Sequence, residues 1–414
     1  MAAKARDHVG HNAGIVFNPL WLALLLSLLA VTLVDSRART NPAYLLLVLA
    51  PIALYALYAS VEGRMVGQAT TPKKVLFPVP VVLLCTGVIA LITLFNLLAI
   101  SQFVALYGGW SRAVGQLGAT AFVNEIQQNS FSPIALFVQI NYLLPVFLVP
   151  LVGYPTRWRW ALLGPALLVL LFASGLSGTR VLFIDALVTV VVVSALGVRL
   201  RPRLLLAGAA ALFALVALFA VLQSVRSTGQ GIGGGLTVLR NYYQISLQQG
   251  ANVVLADQTR QPLYWTLRST FSVPGVSRLL GTVTVYESIF GHLPIKQRSD
   301  DFEYVKSLGG DPRYNTLGIY GYSFLDAGLW GLLIVTFSYL LMHLLYRTYL
   351  SGNLFGVLLF PPFYSLFLDQ LRTNSIYSTR APFFVLCAVF LFLVSKLLIR
   401  QSAWRLYIDS LRRA

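Results

Sequence analysis

VLFPVPVVLLCTGVIALITLFNLLAI, residues 75–100, decides the fold class, because this run contains no charged side chain. A helix needs about 20 apolar residues to cross the hydrocarbon core of a bilayer. Runs of similar length recur along the 414-residue chain, which is 57% hydrophobic and only 11% charged. Soluble domains carry about 25% charged residues, so the composition indicates a polytopic α-helical membrane protein. A transmembrane barrel is excluded, because its strands show short alternating segments instead.

The hydrophobic runs predict an all-α membrane bundle of about ten transmembrane helices and one large helical outer loop. The ten spans are 16–34, 43–60, 75–100, 133–153, 158–173, 181–198, 203–222, 317–346, 354–371 and 381–399. The fifth is short and the eighth is long, which predicts a tilted or broken helix at these points. Spans one to seven fall in residues 1–224, the large outer loop in 225–315, spans eight to ten in 316–400 and a basic tail in 401–414.

Positive charges in the short loops set the orientation, because Lys and Arg stay on the inner side. With the N-terminus inside, the inner loops and the C-terminal tail contain Lys73, Lys74, Arg157, Arg159, Arg199, Arg201, Arg203, Lys396, Arg400, Arg405, Arg412 and Arg413. Ten spans then return the C-terminus to the inner side, so both termini are predicted to be cytoplasmic. The net charge of +17 fits anionic lipid headgroups. No soluble basic domain exists to bind nucleic acid.

Three outer segments stand out, at 101–132, 174–180 and 225–315. The first contains Gly108-Gly109, which predicts a helix break before an amphipathic stretch in the interface plane. The large outer loop begins with glycines at 229, 231, 233, 234 and 235, which predict a flexible conformation. Residues 236–256 then predict a helix, and Trp265, Leu267 and Phe271 predict a second element on the membrane surface.

Signatures of soluble enzymes and of metal sites are absent from the sequence. It contains no P-loop, no G-x-S-x-G and no H-E-x-x-H. Cys85 and Cys387 lie in apolar runs, which predicts small buried side chains without a disulfide. Asp300, Asp301 and Glu303 predict either a divalent-cation site or, more simply, a helix start with Asp300 as its N-cap. We predict no metal and no cofactor.

Three acids lie inside predicted spans, at Asp185, Asp326 and Asp369. A carboxylate in hydrocarbon costs about 2.5–3.5 kcal/mol even by lenient insertion scales. Each acid therefore needs a partner or a wet cavity, and a structural ion pair explains each one about as well as catalysis does.

Arginines mark the outer ends of several spans, and a folded bundle can bring them to one site. They are Arg180, Arg226, Arg313, Arg372 and Arg380. Guanidinium groups suit a diphosphate because they stay charged and make paired hydrogen bonds to phosphate oxygens. They can also stabilise a leaving diphosphate without a metal. For Arg180 the alternative is a side chain that reaches out to lipid headgroups.

Three short motifs follow one another along the chain. FASGLSGTR at 172–180, with Thr179 in place of a serine, resembles the S-G-S-R turn of bacterial O-antigen and oligosaccharide repeat-unit polymerases of the Wzy type. YNT at 314–316 followed by DAGLWG at 326–331 resembles the helix after their large periplasmic loop. RTNS at 372–375 resembles the polar turn near their C-terminus.

The resemblance implies an inverting, GT-C-like membrane glycosyltransferase of the bacterial inner membrane, with its active site facing the periplasm. Such enzymes transfer a growing glycan from a polyprenyl diphosphate, here undecaprenyl diphosphate, onto the non-reducing end of a new lipid-linked repeat unit. Implied partners are undecaprenyl-diphosphate-linked oligosaccharides, membrane lipids, a chain-length regulator and a flippase. One alternative is an O-antigen ligase, which uses the same donor and a lipid A-core acceptor. Another is a transporter of lipid-linked oligosaccharides, which would place binding residues near the bilayer midplane.

Residue roles follow from the arginine pattern and the resemblance together. The predicted catalytic residues are Arg180, Arg313, Glu287, His292 and Asp326. The two arginines hold the diphosphate, and the other three are candidate bases. The predicted substrate-binding residues are Arg226, Arg240, Arg268, Arg278, Arg372, Arg380, Tyr242, Tyr243, Trp265 and Tyr314. The aromatic side chains of the loop are predicted to stack on sugars.

Overall fold

The computed structural model describes residues 16–65, 77–115, 133–154, 159–177, 179–196, 231–257, 261–272, 278–279, 281–292, 301–310 and 316–413. All regular structure in these ranges is helical, so the predicted all-α class is confirmed for them. The helices are α1 (Pro19–Thr32), α2 (Ser36–Thr40), α3 (Pro42–Met65), α4 (Val79–Leu106), α5 (Trp110–Gly115), α6 (Pro133–Asn141), α7 (Leu144–Gly153), α8 (Arg159–Ser177), α9 (Val181–Ala195), α10 (Gly231–Leu255), α11 (Tyr264–Ser272), α12 (Thr282–Phe290), α13 (Asp301–Ser307), α14 (Gly318–Ala327), α15 (Gly331–Leu350), α16 (Leu354–Leu368) and α17 (Arg380–Arg413). Short 3-10 segments cover Gly328–Trp330, Asp369–Leu371 and Ser375–Tyr377.

Seven helical stretches in the described ranges are long and apolar enough to cross a membrane. They are Pro42–Glu62, Val79–Leu106, Leu136–Gly153, Arg159–Ser177, Gly318–Leu350, Leu354–Leu371 and Arg380–Ile399. The shorter apolar helices α1 and α9 coincide with the first and sixth predicted spans. These lengths and compositions fit a multi-pass membrane protein. The predicted seventh span, 203–222, lies outside the described residues, so the count of ten stays a prediction.

The eighth predicted span is broken, and the break reverses the direction of the chain. Gly328 lies at the break with a φ of +60°, a left-handed conformation that glycine adopts without strain. In a continuous helix, Tyr320 and Tyr339 would lie about 28 Å apart, at 1.5 Å per residue. Their hydroxyl oxygens are instead 3.1 Å apart. The segments α14 and α15 therefore form a helical hairpin, and α15 alone is long enough to cross a membrane.

The described glycines at the start of the large outer loop, at 231 and 233–235, are helical, which corrects the prediction of a flexible segment there. Gly229 lies outside the described residues. Helix α10 already begins at Gly231 and includes most of the helix predicted at 236–256. Once its C-terminal half is packed, each added residue gains a helical hydrogen bond without a new nucleation step. That half packs closely on α14, because a Cβ added to Gly321 would lie 2.6 Å from the Cα of Gly250.

Contacts between helix ends group these ends into two layers, as alternating membrane crossings require. On the predicted outer side, the Asp35 N–H donates to Gln248 Oε1 of α10 at 2.8 Å. On the predicted inner side, His343 Nε2 of α15 lies 2.6 Å from Glu62 Oε2 of α3. Both pairs join ends that the predicted topology places on the same side. Which layer is cytoplasmic stays a prediction.

Helix α16 lies at the centre of the described bundle, in contact with α7, α9, α15 and α17. The span that contains it is more enclosed than the other apolar helices of the described part. Helix α8 runs to Ser177 rather than ending at residue 173, so the predicted turn at 174–180 is shorter than expected. The C-terminal end of α16 and the N-terminal ends of α9 and α17 lie together, and this convergence positions the site.

Candidate functional site

The candidate site is an ion cluster at this convergence, which we define as Asp185, Asp369, Arg372, Ser375 and Arg380. Arg380 Nη1 donates to Asp185 Oδ1 and Oδ2 at 3.0 and 2.9 Å. Arg380 Nη2 donates to Asp369 Oδ2 at 3.0 Å and to Ser375 Oγ at 3.2 Å. The Arg380 and Asp185 side chains are only 5% and 2% exposed, so they form a buried ion pair between α9 and α17.

Asp369 joins the two arginines of the ion cluster. Arg372 donates from Nε to Oδ1 and from Nη2 to Oδ2, both at 2.7 Å. This paired geometry is the strong form of the guanidinium–carboxylate contact. Ser375 Oγ donates to the same Oδ2 at 2.9 Å. The Arg372 side chain is 25% exposed, so it is the arginine of the ion cluster that reaches the surface.

The residues that follow α16 produce this geometry. The chain tightens into the 3-10 segment Asp369–Leu371, where the Asp369 carbonyl accepts the N–H groups of Arg372 and Thr373 at 3.0 and 3.1 Å. Arg372 therefore lies three residues after Asp369 on a helical turn, within reach of its carboxylate. The segment Ser375–Tyr377 then leads the chain into α17, whose first residue is Arg380.

The ion cluster is electrically balanced, with two carboxylates and two guanidinium groups. Removing ions from water is costly unless they are paired and hydrogen-bonded, so the balance allows the cluster to lie inside the bundle. Arg380 contacts both carboxylates, which favours a structural role over its predicted contact with substrate.

Tyr377 ties the turn after α16 to the hairpin. Its hydroxyl donates to the Ile334 carbonyl of α15 at 3.1 Å and accepts from Ser338 Oγ at 3.3 Å. Burial raises the pKa of Tyr377 to about 12, so this hydroxyl stays neutral at physiological pH. The turn is therefore held at both ends, by the ion cluster and by α15.

The start of α14 packs directly on the turn that carries the ion cluster. The Gly318 N–H donates to the Arg372 carbonyl at 3.1 Å. A Cβ on Gly318 would lie 2.8 Å from the Leu371 carbonyl oxygen, and the φ of +64° also favours glycine. Just before it, Thr316 Oγ1 lies 2.5 Å from Ser246 Oγ of α10. The loop helix α10 is thereby fixed to the same end of the bundle.

Asp326 anchors the loop helix α11 to the hairpin. Its Oδ1 accepts the Trp265 N–H at 2.7 Å, and its Oδ2 accepts the N–H and Oγ–H of Thr266 at 2.8 and 2.7 Å. A carboxylate at a helix N-terminus satisfies N–H groups that lack helical partners and complements the helix dipole. Because both oxygens are engaged in this way, the geometry favours an anchoring role for Asp326 over its predicted acid–base role.

Trp265 lies within an aromatic cluster that holds the loop helices together. Its ring centroid is 4.5 Å from that of Tyr322 and 5.6 Å from that of Tyr304. The Arg268 guanidinium lies 5.0 Å from the same ring centroid, in cation–π contact. Trp265 is only 5% exposed, so its faces are used for packing. Its predicted role in stacking on sugars stays a prediction that would require this cluster to open.

The structure places the remaining predicted residues in different surroundings. Arg180 is half-buried and immediately precedes α9, one and a half turns before Asp185. Arg240, Arg278, Glu287 and His292 are exposed on the loop, and Tyr243 and Arg268 are half-buried there. Arg226, Arg313, Tyr314 and the side chain of Tyr242 lie outside the described residues. The structure therefore brings Arg372 and Arg380 together, with Arg180 at the same end of the bundle.

The predicted helix start near residue 300 is only partly described. Helix α13 begins at Asp301, whereas the predicted N-cap, Asp300, lies outside the described residues. Glu303 lies 3.7 Å from Lys306, and both side chains are largely exposed. Among the described residues, no three His, Cys, Asp or Glu side chains gather as a metal site would require.

Two buried carboxamides beside the ion cluster were missed at the sequence level. Gln370 is 1% exposed and Asn374 is 6% exposed, on either side of Arg372 in the chain. Their position in the polar turn between two apolar spans was the only signal in the sequence. The site thus combines a partly exposed arginine with neutral amides and hydroxyls, which suits an anion joined to a hydroxyl-rich group. Comparison of the chain with known protein families, curated proteins and solved structures finds no match.

Proposed function

We propose that the chain is an oligosaccharide repeat-unit polymerase of the bacterial inner membrane, which joins undecaprenyl-diphosphate-linked repeat units at the periplasmic face. The observation that carries the proposal is the meeting of the three motif-bearing segments at the ion cluster. The segment at 172–180 leads into α9, which Asp185 joins to Arg380. The segment before α14 meets the third motif through the Gly318 N–H and the Arg372 carbonyl. This proximity supports the resemblance independently of the motifs themselves.

In the proposed reaction, a hydroxyl oxygen of the acceptor sugar attacks the anomeric carbon of the donor glycan. The bond between that carbon and the diphosphate oxygen breaks, and its electron pair leaves with undecaprenyl diphosphate. The hydroxyl proton passes to a base or to water, and the anomeric configuration inverts. Because diphosphate is a good leaving group, strong base catalysis is not required. Glu287 and His292 remain the candidate bases that face solvent.

We assign Arg372 and Arg180 to the donor diphosphate. Two hydrogen bonds to Asp369 hold Arg372 in place, and this preorganisation lowers the entropy lost when it binds a ligand. The balanced ion cluster offers little net positive charge of its own. A bound diphosphate therefore needs further cations, and Arg180, Arg226 and Arg313 are the predicted sources.

Purified protein supplied only with undecaprenyl-diphosphate-linked repeat units tests the proposal. A ladder of progressively longer glycans supports a polymerase. Transfer that occurs only after lipid A-core is added identifies an O-antigen ligase and overturns the proposal. Movement of the lipid-linked sugar across a proteoliposome membrane, without any glycosyl transfer, identifies a transporter and also overturns it.

Substitution of the two assigned arginines tests their roles in the same assay. Arg180→Ala and Arg372→Ala should each slow chain growth roughly 10²–10³-fold, as when one group that stabilises developing negative charge is removed. Arg37→Ala is the matched control, because Arg37 is an exposed arginine of α2 on the same predicted side. It should leave the ladder unchanged. Undiminished chain growth in both site variants would remove these arginines from the site.

A further inference from the structure

The turn that carries the ion cluster also contains buried polar atoms without partners. Within the described part of the chain, neither the nitrogen nor the oxygen of the Gln370 and Asn374 carboxamides has a hydrogen-bonding partner. Ser378 Oγ, in the same turn, is buried and unpaired as well. Buried polar groups in native proteins are nearly always paired. These five polar atoms in one short turn are therefore available to hydrogen-bond to a ligand.

The chemistry of the turn favours a neutral, hydroxyl-rich ligand. A carboxamide offers two N–H donors and an acceptor oxygen, and each sugar hydroxyl can both donate and accept. The arginines beside these carboxamides are balanced by Asp185 and Asp369, so the turn has no excess positive charge for a second anion. A lipid chain offers no hydrogen bonds at all.

We infer that the 369–378 turn is a saccharide-binding subsite, in which Gln370 and Asn374 hydrogen-bond to sugar hydroxyl groups. The inference rests on the proposed function, which brings a saccharide to this end of the bundle. Because both carboxamides flank Arg372 in the chain, the sugar that they contact is the one joined to the diphosphate. The subsite therefore recognises the first sugar of the donor.

The turn opens to admit this sugar, because its polar atoms are covered in the present conformation. Two 3-10 segments, Asp369–Leu371 and Ser375–Tyr377, make up much of the turn. Hydrogen bonds in 3-10 segments have poorer geometry than those of an α-helix, so the turn rearranges at lower cost than the neighbouring helices. The sugar hydroxyls then become the hydrogen-bonding partners of the two carboxamides.

Binding of two lipids to the full chain in nanodiscs tests the inference. The two lipids are undecaprenyl diphosphate and the same diphosphate carrying the repeat-unit oligosaccharide. The unmodified protein should bind the glycan-bearing lipid more tightly. Asn374→Leu and Gln370→Met remove the hydrogen-bonding groups at similar volume. Each should weaken binding of that lipid about threefold to tenfold, the range for one neutral hydrogen bond, and leave undecaprenyl diphosphate binding unchanged.

Thermal stability and a distant variant provide the controls. Both variants should unfold at the original temperature or above it, because no protein–protein hydrogen bond is lost. Ser395→Ala should leave the affinity for both lipids unchanged. Ser395 is buried and unpaired within the described part of α17, but it lies about 22 Å from Arg380 along that helix.

The outcomes separate the inference from the proposed function. A preference for the glycan-bearing lipid that persists in both variants overturns the inference, and intact diphosphate binding then leaves the proposed function standing. Equal binding of the two lipids by the unmodified protein also overturns the inference and leaves the proposed function standing. If the unmodified protein binds neither lipid, the proposed function itself is overturned.

Discussion

Replacing Asp185 alone should destabilise the bundle more than replacing Asp185 and Arg380 together. In Asp185→Leu, a net positive charge stays buried in the ion cluster, and in Arg380→Met a net negative charge does. Removing one partner of a buried pair costs about 3–5 kcal/mol, because the other charge is left uncompensated. In the double variant, the pair of Asp369 with Arg372 remains and the cluster is neutral again.

The magnitude for the double variant follows from the contacts that it loses. Arg380 also donates to Asp369 Oδ2 at 3.0 Å, and a hydrogen bond to a charged group contributes about 1.5–3 kcal/mol. Its other partner, Ser375 Oγ, keeps its hydrogen bond to Asp369 in the double variant. Replacing a buried ion pair by apolar residues of similar volume is itself often neutral. The double variant should therefore lose about 1.5–3 kcal/mol, less than either single variant.

Thermal unfolding with a thiol-reactive fluorescent dye measures this order. Cys85 and Cys387 are buried, so unfolding exposes both thiols to the dye. The unmodified protein should have the highest unfolding temperature, the double variant a lower one, and the two single variants the lowest. Arg37→Met, an exposed arginine, should have no effect. If the loss of stability in the double variant equals the sum of the losses in the two single variants, Asp185 and Arg380 are not coupled. The assignment of a buried ion pair would then be wrong.

Two further substitutions test how the loop helices are attached. Gly250→Ala should destabilise by about 1–3 kcal/mol through overpacking, because the added Cβ overlaps the Leu317 carbonyl oxygen. Gly87→Ala is the control, because its added Cβ meets no atom within 4 Å, and it should be neutral or stabilise by up to about 1 kcal/mol. Equal stability of the two variants would contradict the close contact of Gly250 with Leu317. Asp326→Ala should accelerate hydrogen exchange at the first turn of α11, whereas Asp326→Asn should retain part of the protection and most of the polymerising activity. Loss of activity in Asp326→Asn, with exchange unchanged, would restore Asp326 as the base.

The membrane class and the positions of the apolar helices could be predicted because every crossing must be apolar over about 20 residues. The break in the eighth span was predictable from its length. Its reversal at Gly328 was not, because it depends on the contact of Gly331 with the Ser323 backbone, which only the folded hairpin provides. The helix start at Gly231 was missed because propagation from the packed C-terminal half of α10 offsets the low helix propensity of glycine.

The sequence shows that the buried carboxylates of the site require partners, but it does not show which residues all of those partners are. The cost of a buried carboxylate showed that Asp185 and Asp369 require partners. Local spacing points to Arg372 as the partner of Asp369, since the two are three residues apart. The partner of Asp185 is 195 residues away, so no local pattern pointed to Arg380. For the same reason, the burial of Trp265 by residues of α13 and α14 could not be anticipated from the loop sequence.

The long sequence separation of the buried pair imposes a delay during synthesis between the insertion of Asp185 and that of Arg380. The 195 residues between Asp185 and Arg380 take about 10–40 s to translate at 5–20 residues per second. Throughout that interval, α9 carries a carboxylate that is still without its guanidinium. Assembly around α9 can therefore finish only after α17 has been inserted. A chain truncated between the two would retain an orphan charge in the membrane and should be degraded faster than the full chain.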